Sequence, residues 1–152
     1  MTFLERHQVV TTPRHWRGNM NGEYVYTSGI AGEKFFTALR DRGAFTASTC
    51  DHCKTTTMPP RIYCENCFAA TKSVEVAAKC TVEYATTQRL HVTGSGLDEP
   101  QPFGLVRFEG TTGGLVHRLK EAYPRGTKVR PVLKEKAERT GEITDIVCFE
   151  EA

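Results

Sequence analysis

The chain has 152 residues, of which 39% are hydrophobic and 25% charged, a composition that favours a folded globular protein over a disordered one. Its net charge of +2 lacks the basic excess that is typical of nucleic-acid binders. No apolar run approaches the roughly 20 residues that a bilayer-spanning helix needs. Residues 1–13 show no signal-peptide pattern, so we expect a cytoplasmic protein.

The first predicted element is a helix. Residues 1–27 mix aromatic and histidine residues with glycine and proline without a regular period, and they predict an extended arm. Residues 30–42 predict a helix that Ser28 or Gly29 caps and that Gly43 ends. Its apolar face consists of Phe35, Phe36 and Leu39. This face either packs on the rest of the chain or is offered to a partner.

Two Cys-x-x-Cys pairs follow the helix. Cys50 and Cys53 form the first pair, and Cys64 and Cys67 form the second after ten intervening residues. Two such knuckles facing each other supply four thiolates to one tetrahedral zinc ion, about 2.3 Å from each sulfur, and they leave no open position for water. We therefore predict a structural zinc ion. One alternative is a pair of disulfides, but the sequence shows no signal peptide. The other is a redox dithiol, but that function needs only one Cys-x-x-Cys pair.

Polar residues near the knuckles offer further candidates. His52 lies inside the first knuckle, where it either replaces a ligand or faces solvent. Between the pairs, Pro59 and Pro60 fix an extended backbone from which Arg61 leaves in a defined direction. Arg61 either contacts a phosphate or a partner, or is an ordinary surface arginine.

The remaining residues predict five strands. Side chains alternate along residues 74–84, which predicts one long half-buried strand with Cys80 and Tyr84 facing the core. Residues 88–101 are rich in glycine and predict a mobile loop. The other predicted strands are residues 103–108, 115–119, 128–133 and 143–149. Five strands, of which the first is long and the other four are short, are typical of an OB barrel.

A basic stretch runs along the last predicted strands. Residues 118–139 hold eight Lys or Arg and three Asp or Glu residues. The stretch is either a solvated strand edge and loop, or a patch for the phosphates of coenzyme A or of nucleic acid.

The order of these elements resembles a known family. Residues 29–149 contain, in this order, an aromatic helix, two Cys-x-x-Cys pairs around a Pro-Pro-Arg segment, and a predicted five-stranded barrel. This order resembles the zinc-ribbon plus OB-fold family that accompanies thiolases, catalogued as domain of unknown function thirty-five. Its more specific marks here are the Pro-Pro-Arg segment and residues 80–84, 102–110 and 126–129.

The resemblance implies a fold, a metal and a partner. The fold is mainly β with an N-terminal helix, and consists of a rubredoxin-like zinc ribbon followed by a five-stranded OB-fold barrel. We expect the arm and helix at residues 1–43, the ribbon at 44–71 and the barrel at 72–152. The four cysteines would bind zinc, and coenzyme A or acyl-CoA would be a shared ligand. The candidates for partner or coenzyme A contacts are Phe35, Phe36, Leu39, Pro59, Pro60 and Arg61.

The implied function is that of a non-catalytic accessory subunit. It would dock on a thiolase-fold enzyme, which is a thiolase, acyltransferase, synthase or aldolase, and help to bind or channel acyl-CoA. No G-x-S-x-G, HExxH or Walker motif is present to suggest catalysis. One alternative is a single-stranded nucleic-acid-binding protein, since ribbons and OB barrels also serve there. The other is a small acyl-CoA enzyme acting through Cys80, Cys148 or His117.

Overall fold

The computed structural model describes residues 22–23, 25–91 and 94–152. Most of the predicted arm, including His7, His15 and Trp16, lies outside these ranges. Within them, none of the helices combines the length and apolar character needed to cross a bilayer. The described chain is mainly β with one α-helix ahead of a ribbon and a sheet-rich domain, which confirms the predicted fold class.

Helix α1 (Gly29–Arg42) forms where the sequence predicts it, but it faces inward. Gly43 adopts a left-handed φ of 66°, and its N–H donates to the carbonyl oxygen of Leu39 at 2.9 Å, which ends the helix. Ser28 makes no side-chain capping bond. Phe35 and Leu39 are only 4% and 0% exposed, and Phe36 is partly buried against the same core. The chain's own core therefore covers Phe35 and Leu39, and the predicted partner contacts of this face stay a prediction.

The ribbon is built on a small sheet that includes a strand from the second half of the chain. Its strands are β1 (Phe45–Thr49), β2 (Thr56–Met58), β3 (Lys72–Val76) and β6 (Thr112–Gly113). They lie in the order β3-β1-β2-β6. Strands β2 and β6 pair in parallel, so the ribbon and the following domain are joined by a shared sheet.

The second sheet curls into a partly open barrel. Its strands are β4 (Cys80–Leu90), β5 (Gly96–Phe108), β7 (Leu115–Arg118), β8 (Lys128–Leu133) and β9 (Ile146–Glu151), in the order β7-β5-β4-β8-β9. The two ends of this order meet where Leu119 and Phe149 form a parallel bridge, beside a hydrogen bond of 2.9 Å from the Lys120 N–H to the Phe149 carbonyl oxygen. Five strands that close in this way match the predicted OB arrangement.

The long strand predicted at residues 74–84 is wrong in two respects. Its two halves belong to different sheets, because the pairing breaks at residues 77–79 between β3 and β4. A register shift between Val82 and Tyr84 then reverses the alternation of inward and outward side chains. Tyr84 is consequently 63% exposed and does not face the core. Cys80, which precedes the shift, is buried as predicted.

The loop predicted at residues 88–101 is also wrong in part. Strands β4 and β5 continue as a hairpin arm beyond the barrel, with Gln88 opposite Gln101 and Leu90 opposite Gly96. Most side chains of this arm are exposed, so it lacks the alternation by which a half-buried strand is recognised.

One hydrophobic core joins the helix, the ribbon and the barrel. A chain of aromatic rings runs from Phe35 on α1 to Phe45 on β1, then to Phe108 on β5 and Phe149 on β9, with successive centroids 6.2, 4.9 and 6.4 Å apart. Phe45, Phe108 and Phe149 are at most 1% exposed. Edge-to-face and tilted pairs at these separations are favourable beyond the area that they bury. The three parts are therefore packed as a single unit.

The junction between ribbon and barrel requires a glycine at position 113. Gly113 has a φ of 79°, and a Cβ atom there would lie 2.2 Å from the carbonyl oxygen of Met58 on the facing strand. Gly110 also has a positive φ, of 74°, but a Cβ atom there would meet nothing within 4 Å. Substituting each of these two glycines in turn therefore distinguishes the cost of a left-handed backbone from the cost of a steric clash between strands.

We predict that Gly113→Ala lowers the free energy of unfolding by about 2–4 kcal/mol and that Gly110→Ala lowers it by only about 1 kcal/mol. Both variants strain a left-handed position, and only the first also pushes β2 and β6 apart. Urea unfolding of the zinc-loaded protein measures the difference. Equal losses for the two variants would show that the close approach of the two strands is unimportant.

Candidate functional site

The two cysteine pairs form matching knuckles. In each, the N–H of the residue four positions after the leading cysteine donates to that cysteine's carbonyl oxygen at 2.9 Å: Lys54 to Cys50, and Phe68 to Cys64. Lys54 and Phe68 have φ values of 56° and 57°, which are left-handed and uncommon for residues with a side chain. The same backbone turn thus presents sulfur atoms from both halves of the ribbon.

The knuckles bring all four predicted ligands together. The Sγ atoms of Cys50, Cys53, Cys64 and Cys67 lie within 4.8 Å of one another, and those of Cys50 and Cys67 are 3.6 Å apart. A tetrahedron with metal–sulfur bonds of about 2.3 Å has sulfur–sulfur edges of about 3.8 Å, whereas a disulfide needs about 2.05 Å. All four cysteines are free thiols. The arrangement fits a zinc ion and does not fit two disulfides.

The thiols of this cluster do not titrate alike. Backbone N–H groups of Asn66 and then Cys67 stabilise the thiolate of Cys64 and lower its pKa to about 6. Hydrogen bonding with Cys67, followed by burial, raises the pKa of Cys53 to about 12. One thiolate therefore forms readily while a neighbour holds its proton. A dication neutralises the combined charge and displaces the remaining protons, which makes the cluster a cation site.

The chemistry of this centre is structural. Four thiolates complete the tetrahedral shell of zinc and leave no position for water or substrate. The exposed His52 lies beside the centre, with its Nδ1 3.8 Å from the Sγ of Cys53, and the four cysteines form the ligand group without it. The four cysteines are thus positioned to bind zinc in a rubredoxin-like ribbon, where the ion holds two knuckles together.

The Pro-Pro-Arg segment is fixed to the ribbon. The backbone N–H of Arg61 donates to the Oγ of Ser48 at 2.8 Å, and the Thr71 hydroxyl donates to the Arg61 carbonyl oxygen. The guanidinium of Arg61 forms an ion pair with Glu65 in the second knuckle. Pro59 and Arg61 are exposed. Arg61 is therefore held at the surface of the ribbon, and its charge already has a partner in the chain.

An exposed apolar surface surrounds the second knuckle, and the sequence analysis missed it. We call it the knuckle surface. It consists of Ile62, Tyr63 and Phe68, which are 48%, 58% and 78% exposed. Phe68 occupies the left-handed position of its knuckle, so the backbone turn itself directs the ring away from the core. These three apolar side chains, in and beside one knuckle, follow no sequence period, and no sequence signal separates them from core residues.

Of the three reactive groups of the barrel, Cys80 is buried, and Cys148 and His117 are half-buried. Burial raises the pKa of Cys80 to about 12 and also raises the pKa of Cys148. Burial lowers the pKa of His117, whose Nε2 lies 3.3 Å from the carbonyl oxygen of Ile143. A nucleophilic cysteine needs a depressed pKa, so neither thiol has the environment of an activated nucleophile.

The ribbon has a counterpart among known protein families. Residues 37–73 match the family described as ChsH2, rubredoxin-like zinc ribbon domain. This ribbon resembles that of ChsH2. The match spans the helix end, both cysteine pairs and the start of β3. No curated protein matches the chain in sequence.

Two solved structures share the fold of most of the chain. One is a DUF35-family protein of unknown function from Sulfolobus solfataricus, with 25% identity and a TM-score of 0.65, covering 82% of this chain and 87% of that one. The other is described as Ltp2-ChsH2(DUF35) aldolase, with 22% identity and a TM-score of 0.56, covering 78% of this chain and 91% of that one. The predicted resemblance to domain of unknown function thirty-five is confirmed for the ribbon and for the fold.

We predict that the purified protein contains about one zinc ion per chain, because four thiolates form one site. Cys67→Ser removes one thiolate and should strongly reduce the zinc content and the thermal stability. Cys148→Ser, a serine substitution at a thiol outside the cluster, should leave the zinc content unchanged. Metal analysis by mass spectrometry measures both. Equal zinc content in the two variants would show that the four-cysteine cluster is not the metal site.

Proposed function

We propose that this chain is a non-catalytic accessory subunit that docks on a thiolase-type acyl-CoA enzyme and helps it to bind or channel acyl-CoA. The observation that carries the proposal is the combination of a closed zinc centre with the exposed knuckle surface beside it. A metal that cannot reach substrate makes that surface rigid, and rigid apolar surfaces are suited to association. The fold is also similar to that of a protein described as an aldolase with a ChsH2 component.

The knuckle surface has the composition of an interface centre. It combines two aromatic rings with an aliphatic side chain, and aromatic residues dominate the energy of many protein interfaces. The ion pair of Arg61 with Glu65 lies on the same knuckle, where it supplies a polar rim. Phe68 is the most exposed of the three and is the first candidate for insertion into a partner. The helix face, by contrast, is used within the chain.

The non-catalytic role is supported by the state of the buried thiols. A cysteine with a pKa of about 12, as Cys80 has, is almost entirely protonated at neutral pH. In the proposed role the partner would make and break bonds. The accessory subunit would bind at the enzyme surface and limit the access of water to the bound thioester.

A second candidate function rests on Tyr84. The ring is exposed on the barrel, and the Arg125 guanidinium lies 5.3 Å from its centroid. An exposed aromatic ring beside a cation is a platform on which a nucleobase can stack. The alternative proposal is a single-stranded nucleic-acid-binding barrel, which should bind an oligonucleotide with an affinity that falls steeply with salt.

We predict that tagged protein purified from its native host carries a thiolase-fold enzyme with it, and that Phe68→Asn weakens this complex by about tenfold or more. Asparagine tolerates the left-handed backbone and removes the ring, so the knuckle should remain folded. Val116→Asn makes a comparable change at a residue of β7 that is 71% exposed, and it should leave the affinity unchanged. The dissociation constant of the reconstituted pair is the measurement.

Two results would contradict the proposal. One is a native purification in which no thiolase-fold enzyme accompanies the chain. The other is turnover of acetoacetyl-CoA or acetyl-CoA by the isolated protein, which would identify it as an enzyme. Equal affinities of the Phe68→Asn variant and the unaltered protein would remove the knuckle surface from the interface.

A further inference from the structure

A cavity opens at the end of the barrel where the chain arrives from the ribbon. Its volume is about 740 Å³, which lies within the range of small-molecule sites. The beginnings of β4 and β8 and the end of β5 form its walls, together with the turn that follows β5. The residues that matter here are Lys79, Cys80, Arg107, Phe108, Lys128 and Arg130.

Cations converge on this cavity from three neighbouring strands. Arg107 and Lys128 lie on either side of Thr81, on β5 and β8, so their backbones are roughly 10 Å apart by the spacing of strands. Arg130 follows two positions after Lys128 and projects from the same face of β8. Lys79 precedes β4 and adds a fourth positive charge. Among the described lining residues, Glu109 is the one acidic side chain.

Nearby acidic residues form ion pairs with the arginines of the cavity, but its lysines have no such partner among the described residues. Glu83 pairs with Arg107 at 2.5 Å and with Arg125 at 3.3 Å. Glu150 pairs with Arg130 at 2.8 Å and with Lys120 at 3.0 Å. Within the described part of the chain, Lys79 and Lys128 form no ion pair. Three of the eight basic residues at 118–139 are thus paired with acids, and Lys128, which is not, lies at the cavity.

The lining also has an apolar side. Cys80, Phe108 and Val129 form its deepest part and are at most 4% exposed, while Gly110 and Thr111 form a turn without bulky side chains along one edge. A site with charged walls and an apolar floor suits a ligand that carries both phosphate groups and less polar atoms. Lysine attracts phosphate as a point charge, and arginine keeps free N–H donors even when a carboxylate occupies part of its guanidinium.

We propose that this cavity binds the phosphate groups of a small soluble ligand, with Lys79 and Lys128 as the principal contacts. The expected source is the nucleotide end of acyl-CoA, and this choice of source rests on the proposed function. The phosphate site itself rests only on the charges and shape of the cavity, so it can be tested without a partner enzyme.

Calorimetric titration of the zinc-loaded full chain tests the site with four probes: coenzyme A, pantetheine, pyrophosphate and a single-stranded oligonucleotide. We expect coenzyme A and pyrophosphate to bind, with affinities that decrease as salt is added, and pantetheine, which lacks the nucleotide phosphates, not to bind. The double variant Lys79→Ala/Lys128→Ala should bind coenzyme A about tenfold more weakly or worse, because each ionic hydrogen bond contributes substantially to affinity.

Lys136→Ala is the matched control. It removes one lysine from the same basic stretch, at an exposed position outside the cavity, and should leave the affinity unchanged. Circular dichroism and zinc content establish that the double variant is folded.

The outcomes separate the sources of the phosphate. Binding of pyrophosphate that the double variant loses supports the site even where coenzyme A fails to bind. Equal affinity of the double variant and the unaltered protein for coenzyme A overturns the proposal, as does equally tight binding of pantetheine. An oligonucleotide that binds more tightly than coenzyme A also overturns it, in favour of nucleic acid. None of these results depends on partner capture, so the site and the accessory role can fail independently.

Discussion

Four cysteine sulfur atoms within 4.8 Å of one another are the constraint on which the ribbon depends. Four thiolates at that distance repel one another, and four thiols are weak hydrogen-bonding partners that hold no loop in place. A zinc ion turns the same arrangement into a strong crosslink between two turns that are far apart in sequence. A zinc ion bound there would hold both knuckles in the left-handed backbone seen at Lys54 and Phe68.

The crosslink matters because the ribbon has little hydrophobic core of its own. Its buried apolar side chains, Phe45, Ala47 and Met58, belong to the same cluster as the helix and the barrel. Phe45 lies between Phe35 and Phe108, so the ribbon strand connects the rings of the other two parts. A knuckle fixed to that strand has a defined orientation relative to the barrel. The knuckle surface and the cavity are therefore held in a fixed relation, which the proposed docking role and the proposed ligand site would both require.

Much of this structure could be predicted from sequence because its signals are local. The cysteine spacing, the helix ended by Gly43 and the hairpin of β5 and β7 each depend on residues close together in the chain. The predictions of strand boundaries and side-chain orientation failed where pairing with a sequence-distant strand decides them. The bulge before Tyr84 depends on pairing with β5, and the division between β3 and β4 depends on which sheet each strand joins. The alternation of polar and apolar residues in the sequence indicates neither the bulge nor the division between the two sheets.

The surfaces for which we propose functions were the hardest to predict, for the same reason. An apolar helix face looks alike whether it covers the chain's own core or a partner, and here the core covers Phe35 and Leu39. The cavity combines Lys79, Arg107 and Lys128, which are separated in sequence and meet only through the strand order. The basic stretch was visible as a count of charges, but the ion pairs of Glu83 and Glu150 determine which of those charges remain.

The most direct test of the central claim is X-ray absorption at the zinc edge, on protein purified without chelator. The structure predicts a single shell of four sulfur neighbours at about 2.3 Å, with no nitrogen or oxygen ligand. A shell that contains lighter atoms, or a folded protein that contains no zinc, would contradict the account of the ribbon as a metal-clamped docking element.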